Sequence, residues 1–220
     1  MTLLPFLIAA LVLAITPGPG MAYVVARTAA GGRAEGLASC LGTALGGLVH
    51  VLASALGLSL LLAQSALVFT WVKYLGAAYL IYLGLGLLLR QAKQPAVGAL
   101  PARGSRRALI EGVVVEALNV KTALFFVAFL PQFVSLDAPV TLQLLIMGTL
   151  CVTLNTLADV VAVFAAERLL ASDRANGVSG ANGVNGVNGV SGSRARWLRR
   201  GSGLTLIGLG AYLAMARRNV

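Results

Sequence analysis

The feature that most constrains this chain is a long stretch without charge. From Gly36 to Val72 there is no Asp, Glu, Lys or Arg residue, and further apolar runs fill most of the sequence. Only 11% of the residues are charged and 58% are hydrophobic, whereas soluble domains carry about 25% charged residues. Because so few charges cannot keep a fold of 220 residues dispersed in water, the sequence predicts an integral membrane protein.

The apolar runs predict about six transmembrane helices, since a bilayer core of about 30 Å takes about 20 helical residues. Leu3–Ala26 is the first predicted span. It follows no basic residue, so we expect it to be retained rather than cleaved as a signal peptide. The charge-free stretch needs a turn, which we place near Gln64-Ser65. The remaining spans are then predicted at about 36–63, 66–89, 108–134, 138–166 and 201–216.

The predicted fold class is an all-α integral membrane protein with a 3+3 inverted repeat, in which residues 1–220 form a single transmembrane transporter domain. Half one comprises residues 1–90, a basic loop covers 91–107, and half two comprises 108–220. Repeated Asn-Gly-Val units within 172–196 lack the period of a helix or a strand. Their glycines predict a flexible linker without chemistry of its own.

The basic residues predict an orientation. With six spans, thirteen Lys and Arg residues fall on one side, three fall on the other and Lys121 lies within a span, which accounts for all 17. The positive-inside rule places the side with thirteen in the cytoplasm and both termini outside. Arg217 and Arg218 oppose this topology. If 108–134 instead enters and leaves on one side, the C-terminus is cytoplasmic.

A proline and glycine motif interrupts the first predicted span at Pro17, Gly18, Pro19 and Gly20. Proline lacks a backbone donor and glycine permits unusual dihedral angles, so a regular helix cannot continue through the motif. Unwound backbone at membrane depth is tolerated where protein or a water-filled cavity surrounds it. The motif therefore either binds a polar solute or merely ends the helix near an interface.

Asn119 and Lys121 occupy the corresponding place in the first span of half two. Two halves of three spans with matching interruptions are typical of inverted-repeat transporters. Because each half has an odd number of spans, the halves would lie in opposite orientations. The sequence therefore predicts a substrate site between the halves, near the middle of the membrane.

Ionisable residues within the spans are candidates for proton coupling, because charge inside a membrane is costly and usually faces a partner or a cavity. Asp159 follows Asn155 by four residues, so both share a helix face. A histidine side chain is suited to relaying protons near neutral pH, so His50 either relays a proton or makes a packing hydrogen bond. Glu116 either joins the proton path or forms an ion pair with Lys121.

Other function classes find little support in the sequence. One histidine excludes a two-histidine metal motif, and no GxSxG or Walker-type loop occurs, so we predict no enzyme, metal or cofactor. The net charge of +10 is arranged in short clusters between apolar runs, which favours a membrane lipid surface over nucleic acid. Cys40 and Cys151 lie in apolar runs and are expected to pack as small residues.

The motifs taken in order resemble the LysE/RhtB family of bacterial amino-acid exporters. In half one they are Thr16-Pro17-Gly18-Pro19, Gly32-Arg33, Gly36-Leu37, Gly42, Gly46, His50, Gly57-Leu58 and Lys73 to Gly84. In half two they are Asn119-Val120-Lys121, Phe125-Phe126 and Phe129 to Phe133. The family usually has proline where this chain has Val120, so we expect a weaker second helix break here.

This resemblance implies a secondary transporter that exports an amino acid or a related small solute across the bacterial inner membrane with proton coupling. The sequence leaves the oligomeric state open, with a homodimer as one option. The alternative is a non-transporting structural or assembly protein of the membrane, which needs the same spans but no hydrated cavity.

Overall fold

The computed structural model describes residues 3–58, 66–89, 101–135, 137–175 and 192–215, and every regular element within them is helical. The elements in chain order are α1 (Leu3–Ile15), α2 (Pro19–Ala53) with a π-helical turn at Ser54–Leu58, α3 (Ala66–Leu89), α4 (Ser105–Ala117), α5 (Val120–Leu124) continued by a π-helical turn (Phe125–Phe129) and a 3-10 turn (Leu130–Phe133), α6 (Val140–Ala175) and α7 (Gly192–Met215).

Helix α2 reverses direction at Gly32, whose φ of 73° lies in the region that favours glycine. A methyl group placed on Gly20 would lie 3.8 Å from Cγ2 of Thr43, and one on Gly36 would meet the side chain of Thr28. These pairs are far apart in a straight helix, so the arm 19–31 and the arm 33–53 lie side by side and antiparallel. The sequence prediction ended one span at Ala26 and began the next at 36, whereas the two arms extend to a single-residue turn.

The segment formed by α4, α5 and its continuing turns runs antiparallel to the segment formed by α1 and the first arm of α2. At one end the hydroxyl of Tyr23 donates to the carbonyl of Ala108 at 2.8 Å. At the other end the rings of Phe6 and Phe133 meet edge to face, with their centroids 5.7 Å apart. The two segments therefore accompany each other over most of their length.

Glycines allow close approach between the second arm of α2 and α4. A methyl group on Gly46 would lie 2.5 Å from the carbonyl oxygen of Val113, and one on Gly112 would lie 2.9 Å from that of Ser39. A methyl group on Gly42 would meet the carbonyl oxygen of Leu109. Close backbone packing through small residues is common between membrane helices.

Two further helix pairs pack antiparallel through glycines. Gly47 lies against Val152 and Gly148 against Val51, so the second arm of α2 and α6 run in opposite directions. In the same way α3 and α7 run in opposite directions, because Gly84 meets Gly203 and Gly210 meets Ala77.

The outer surface of this helical assembly is apolar. Large side chains such as Leu41, Val161 and Tyr82 are exposed, while Phe125, Phe126 and Phe129 fill the core. By length and composition, Pro19–Gly57 and Val140–Ala171 qualify as membrane-crossing helices. The pair Ser105–Ala117 and Val120–Phe133, bent by 43°, is a third if taken together. The predicted all-α membrane protein is confirmed at this level, although Pro19–Gly57 contains the reversal at Gly32.

Two sequence predictions fall partly or wholly outside the described residues. The turn predicted near Gln64-Ser65 lies in the interval 59–65, which the structure does not describe. The predicted linker 172–196 is described only at its ends, and both ends are helical because α6 continues to Ala175 and α7 begins at Gly192.

Candidate functional site

The first helix break lies at residues 16–18, between α1 and α2. In a continuous helix the carbonyl of Leu13 would accept a hydrogen bond from the amide of residue 17, but Pro17 has no N–H. Pro19 is the first residue of α2, where proline is tolerated because that amide has no intrahelical partner. The motif thus ends one helix and starts the next. At the end of α1 the backbone donor to the carbonyl oxygen of Leu13 is the amide of Thr16 at 3.3 Å, and Leu13 shares that amide with the carbonyl of Val12.

The second break lies at residues 118–119, between α4 and α5. Asn119 caps α5, since its Oδ1 accepts a hydrogen bond from the amide of Lys121 at 3.1 Å. The helices on either side are bent by 43°. Val120 in place of the family's usual proline therefore does not remove the break, because the asparagine cap and the bend are both present.

Lys121 connects the two breaks. Its ammonium donates to the carbonyl oxygen of Thr16 at 2.8 Å and to that of Leu13 at 3.2 Å. Gly18 makes room for the side chain, since a methyl group at that position would lie 2.9 Å from both Cε and Nζ of Lys121. The cation from the second break thus donates to two carbonyl oxygens at the first break, in addition to the shared Thr16 amide at Leu13.

Glu116, at the end of α4, is held by the residues that follow it. Its Oε2 accepts from Nδ2 of Asn119 at 2.9 Å, and its Oε1 accepts from the hydroxyl of Thr122 at 2.6 Å. Gly20 lies against Oε2, where a methyl group would collide. Glu116 and Lys121 therefore bind different partners, rather than forming the intrahelical ion pair that the sequence left open.

His50 lies on the second arm of α2, behind the second break. Its Nε2 is 2.8 Å from the backbone carbonyl oxygen of Glu116. A carbonyl can only accept, so Nε2 carries the proton of this hydrogen bond. The ring also packs against Phe126, with centroids 5.9 Å apart. The imidazole thus positions the backbone of the break.

Asp159 approaches the same region from α6. It is 7% exposed, and its Oδ2 accepts a hydrogen bond from the hydroxyl of Thr43 at 3.0 Å. Asn155, one turn earlier, shares the same side of α6, as the sequence predicted. A buried carboxylate with one neutral side-chain donor is energetically costly in a membrane protein.

These groups surround one buried polar cavity between the two breaks. Of the predicted site residues, Gly18, Gly20, Glu116, Asn119, Lys121 and Asp159 line it. Pro17, Pro19 and His50 stand outside its wall, where they shape the breaks. Thr16, which the sequence named only as part of the family motif, also lines the cavity. Residues that the sequence did not single out contribute too: Ala14, Met21, Thr43, Gly47, Thr122, Val152 and Thr156. Thr43, Thr122 and Thr156 carried no sequence signal, because hydroxyl residues occur at many other positions in the chain.

The cavity has a volume of about 30 Å³. A water molecule needs about 10–15 Å³ of such space, so one or two waters fit and an amino acid does not. The described conformation is therefore closed around its polar groups.

A second charged group, which we name the Arg27 cluster, consists of Arg27, Glu35, Arg103, Arg107 and Glu111. Glu111 accepts from Arg27 and Arg103 at 2.7 Å each and from Arg107 at 3.0 Å. Glu35 accepts from the backbone amide of Arg103 at 2.8 Å. Arg27 is 2% exposed, and its guanidinium joins the first arm of α2 to Glu111 on α4.

These features define a helical membrane protein with a buried polar site between two interrupted helices. A family model described as LysE type translocator matches residues 11–191. The chain belongs to this family of membrane transporters, which confirms the resemblance found in the sequence.

Similar proteins occur in other bacteria. The chain is 32% identical over 165 residues to the uncharacterized membrane protein YrhP of Bacillus subtilis (strain 168), covering 71% of this chain and 79% of the relative. It is 30% identical over 154 residues to an uncharacterized membrane protein of Vibrio cholerae, covering 70% and 75%. It is 38% identical over 125 residues to the uncharacterized membrane protein PA4757 of Pseudomonas aeruginosa, covering 54% and 58%. No solved structure matches the chain.

Proposed function

We propose that the chain is a secondary transporter that exports an amino acid or a related small solute across the bacterial inner membrane, coupled to protons. One observation carries the proposal: the ends of two interrupted helices meet at a single buried cavity that contains Lys121, Glu116 and Asp159. Interrupted helices supply charged ends and unpaired backbone groups, which suit the ammonium and carboxylate groups of an amino acid. The family membership supports a small-molecule substrate in a lipid environment.

The packing supports six spans arranged as an inverted repeat. The described helical segments are 3–31, 33–58, 66–89, 105–133, 140–175 and 192–215, once the two breaks are counted as interruptions and Gly32 as a turn. In an inverted repeat, the first and fourth, second and fifth, and third and sixth spans point in opposite directions. All three of these pairs pack antiparallel here, as described above.

The same packing favours a complete fourth span over a re-entrant segment. The segment 105–133 follows its partner from Tyr23 at one end to Phe6 at the other. A segment that returned to its starting side would not accompany a partner along its length. With the positive-inside rule, the loop before α4 is then cytoplasmic and the loop before α6 lies outside.

Asp159 is the proposed proton carrier. In the described part of the chain the carboxylate of Asp159 accepts one side-chain hydrogen bond. The carboxylate of Glu116 accepts two, one at each oxygen. The less satisfied carboxylate is the one whose charged form the buried site stabilises less. Glu116 and His50 then act through the second break, where the imidazole holds the Glu116 carbonyl. Transport further requires the cavity to widen, with the two breaks as hinges.

Proteoliposomes test the coupling. Vesicles loaded with a mixture of labelled amino acids are given an inward proton gradient, and the loss of each label is followed. We expect Asp159→Asn to abolish the stimulation by the gradient. Glu167→Gln makes the same change at an exposed position two turns further along α6 and should behave as the wild type. Gradient-driven efflux by Asp159→Asn would exclude Asp159 as the carrier, and no efflux from wild-type vesicles would contradict export.

Thiol labelling separates a transporter from a packed structural protein. Asn155→Cys places a thiol on the cavity wall and Leu157→Cys places one on the exposed apolar face of the same helix, with Cys40 and Cys151 replaced by alanine. A transporter that opens should allow a membrane-impermeant maleimide to reach position 155 but not position 157. Equal protection of both positions in active membranes would favour the structural alternative.

A further inference from the structure

The end of α1 offers two carbonyl oxygens to one side chain from the other half of the chain. Pro17 cannot donate to Leu13, so the backbone donor to the Leu13 oxygen is the amide of Thr16, at 3.3 Å, which also donates to Val12. The ammonium of Lys121 adds a donor, 3.2 Å from the Leu13 oxygen and 2.8 Å from the Thr16 oxygen. The partial negative charge at a helix C-terminus favours a cation at this position.

We propose that the carbonyl oxygens of Leu13 and Thr16 form a binding site for a primary ammonium group, which Lys121 occupies in the closed conformation and the ammonium of the solute takes during transport. This inference rests on the proposed function for the identity of the second occupant. The site itself rests on the geometry of the break.

The class of ligand follows from the N–H donors that two carbonyl oxygens require and from the narrow space beside Gly18. A primary ammonium has three N–H donors on a compact head and can reach two converging oxygens, whereas a quaternary ammonium has no N–H. Gly18 lines the path to the oxygens and admits only a slender group, since even a methyl group there would lie 2.9 Å from Nζ of Lys121.

The site is open to exchange because its occupant is tethered by a flexible side chain. Thr16, Gly18 and Lys121 all line the polar cavity, so a solute that enters once the cavity has widened can reach the same oxygens. While Lys121 occupies the site, the Thr16 oxygen has a donor at 2.8 Å without solute. An empty transporter can therefore close without leaving this buried acceptor unpaired, a loss that is costly in a membrane.

Chemical rescue tests the ammonium site without a transport assay. Lys121→Ala removes the side chain beyond Cβ, and n-propylammonium replaces the missing atoms. We expect the purified variant in detergent to have a lower unfolding temperature than the wild type. Added n-propylammonium should raise it saturably, by at least about 3 °C. Tetramethylammonium and 1-propanol, which match the charge and the chain respectively, should produce no saturable rise.

A second variant links the effect to the missing amide. Pro17→Ala restores an N–H four residues after Leu13 but leaves the Thr16 oxygen without this donor, so the double variant Pro17→Ala/Lys121→Ala should regain part of the stability and respond more weakly to n-propylammonium. The proposal is overturned if Lys121→Ala is as stable as the wild type, if it ignores n-propylammonium, or if the neutral alcohol acts equally.

Failure of the single variant to fold is also informative. If Lys121→Ala can be isolated only with n-propylammonium present, the proposal is supported. If it cannot be isolated in any solution, the double variant decides, and the proposal is overturned unless that variant folds. Because these readouts do not involve transport, a saturable response together with inactive proteoliposomes would reject export while retaining the ammonium site.

Discussion

Each residue of the first break contributes a different physical property. Pro17 removes a donor from α1, and Pro19 begins α2 at the position where proline is tolerated. Gly18 and Gly20 provide space, the first for the ammonium of Lys121 and the second for the carboxylate of Glu116. The break is therefore specified by what these residues lack, which is amide hydrogens and side chains.

Gly20→Ala tests whether the carboxylate of Glu116 needs the space that a glycine leaves at position 20. A methyl group at this position collides with Oε2 of Glu116, which is buried and held by Asn119. We expect the free energy of unfolding in detergent to fall by about 1–3 kcal/mol, as for other overpacked sites. Gly57→Ala is the control, since a methyl group there meets nothing within 4 Å. Equal stability of the two variants would show that the carboxylate moves aside freely.

At this scale the sequence indicated the interruptions but not how they are satisfied. Proline, glycine and a capping asparagine have local effects that can be read from their positions. The bond from Lys121 to Leu13 joins residues 108 apart in sequence, and no local pattern encodes it. The hydroxyls of Thr43 and Thr122 escaped notice for the same reason, because only packing brings them to Asp159 and Glu116.

The Arg27 cluster joins the two arms of α2 to α4 and to the backbone before α4. The sequence did not predict these contacts. Charged residues on both sides of Gly32 suggested a loop between predicted spans ending at Ala26 and beginning at 36. Instead, the first arm of α2 extends past Arg27 and the second arm begins before Glu35. The helix can contain these charged residues because each side chain has a partner. Arg27 forms an ion pair with Glu111, and Glu35 accepts hydrogen bonds from the backbone amides just before α4.

Two substitutions measure how much the Arg27 cluster stabilises the fold, since Arg27 and Arg107 both pair with Glu111. Arg27→Met leaves the carboxylates of Glu35 and Glu111 without their buried cation, and we expect the free energy of unfolding to fall by about 3–5 kcal/mol. Arg107→Met removes an exposed partner of the same Glu111 and should cost about 0–1 kcal/mol. Titration with denaturing detergent gives both values. Similar losses would mean that the cluster acts as a surface network and does not fix the helices.

At the scale of the whole molecule, the apolar runs predicted the fold class because a chain that crosses a bilayer has few possible structures. The all-helical membrane character followed from composition, since only helices or closed barrels satisfy backbone groups in lipid. The pairing of the spans could not be read from the sequence. It depends on close approaches at glycines such as Gly84 against Gly203 and Gly47 against Val152. Other glycines in the described part of the chain, such as Gly57 and Gly86, have nothing within 4 Å of an added methyl group.

The arrangement of two opposed halves makes a prediction about sidedness. With six complete spans, the residues before α4 face the cytoplasm and those before α6 face the outside. A re-entrant fourth segment would place both on one side. Ala102→Cys and Ala138→Cys, each in a background where Cys40 and Cys151 are replaced by alanine, put matched thiols at exposed positions in these two loops.

An impermeant maleimide applied to intact spheroplasts should label position 138 and spare position 102, and permeabilised spheroplasts should show labelling at both. This result follows from the antiparallel course of 105–133 beside the first span, between Tyr23 and Phe6. Labelling of both loops, or of neither, before permeabilisation would mean that this segment returns to its starting side. The halves would then not be inverted, and the two breaks would approach the cavity from unrelated directions.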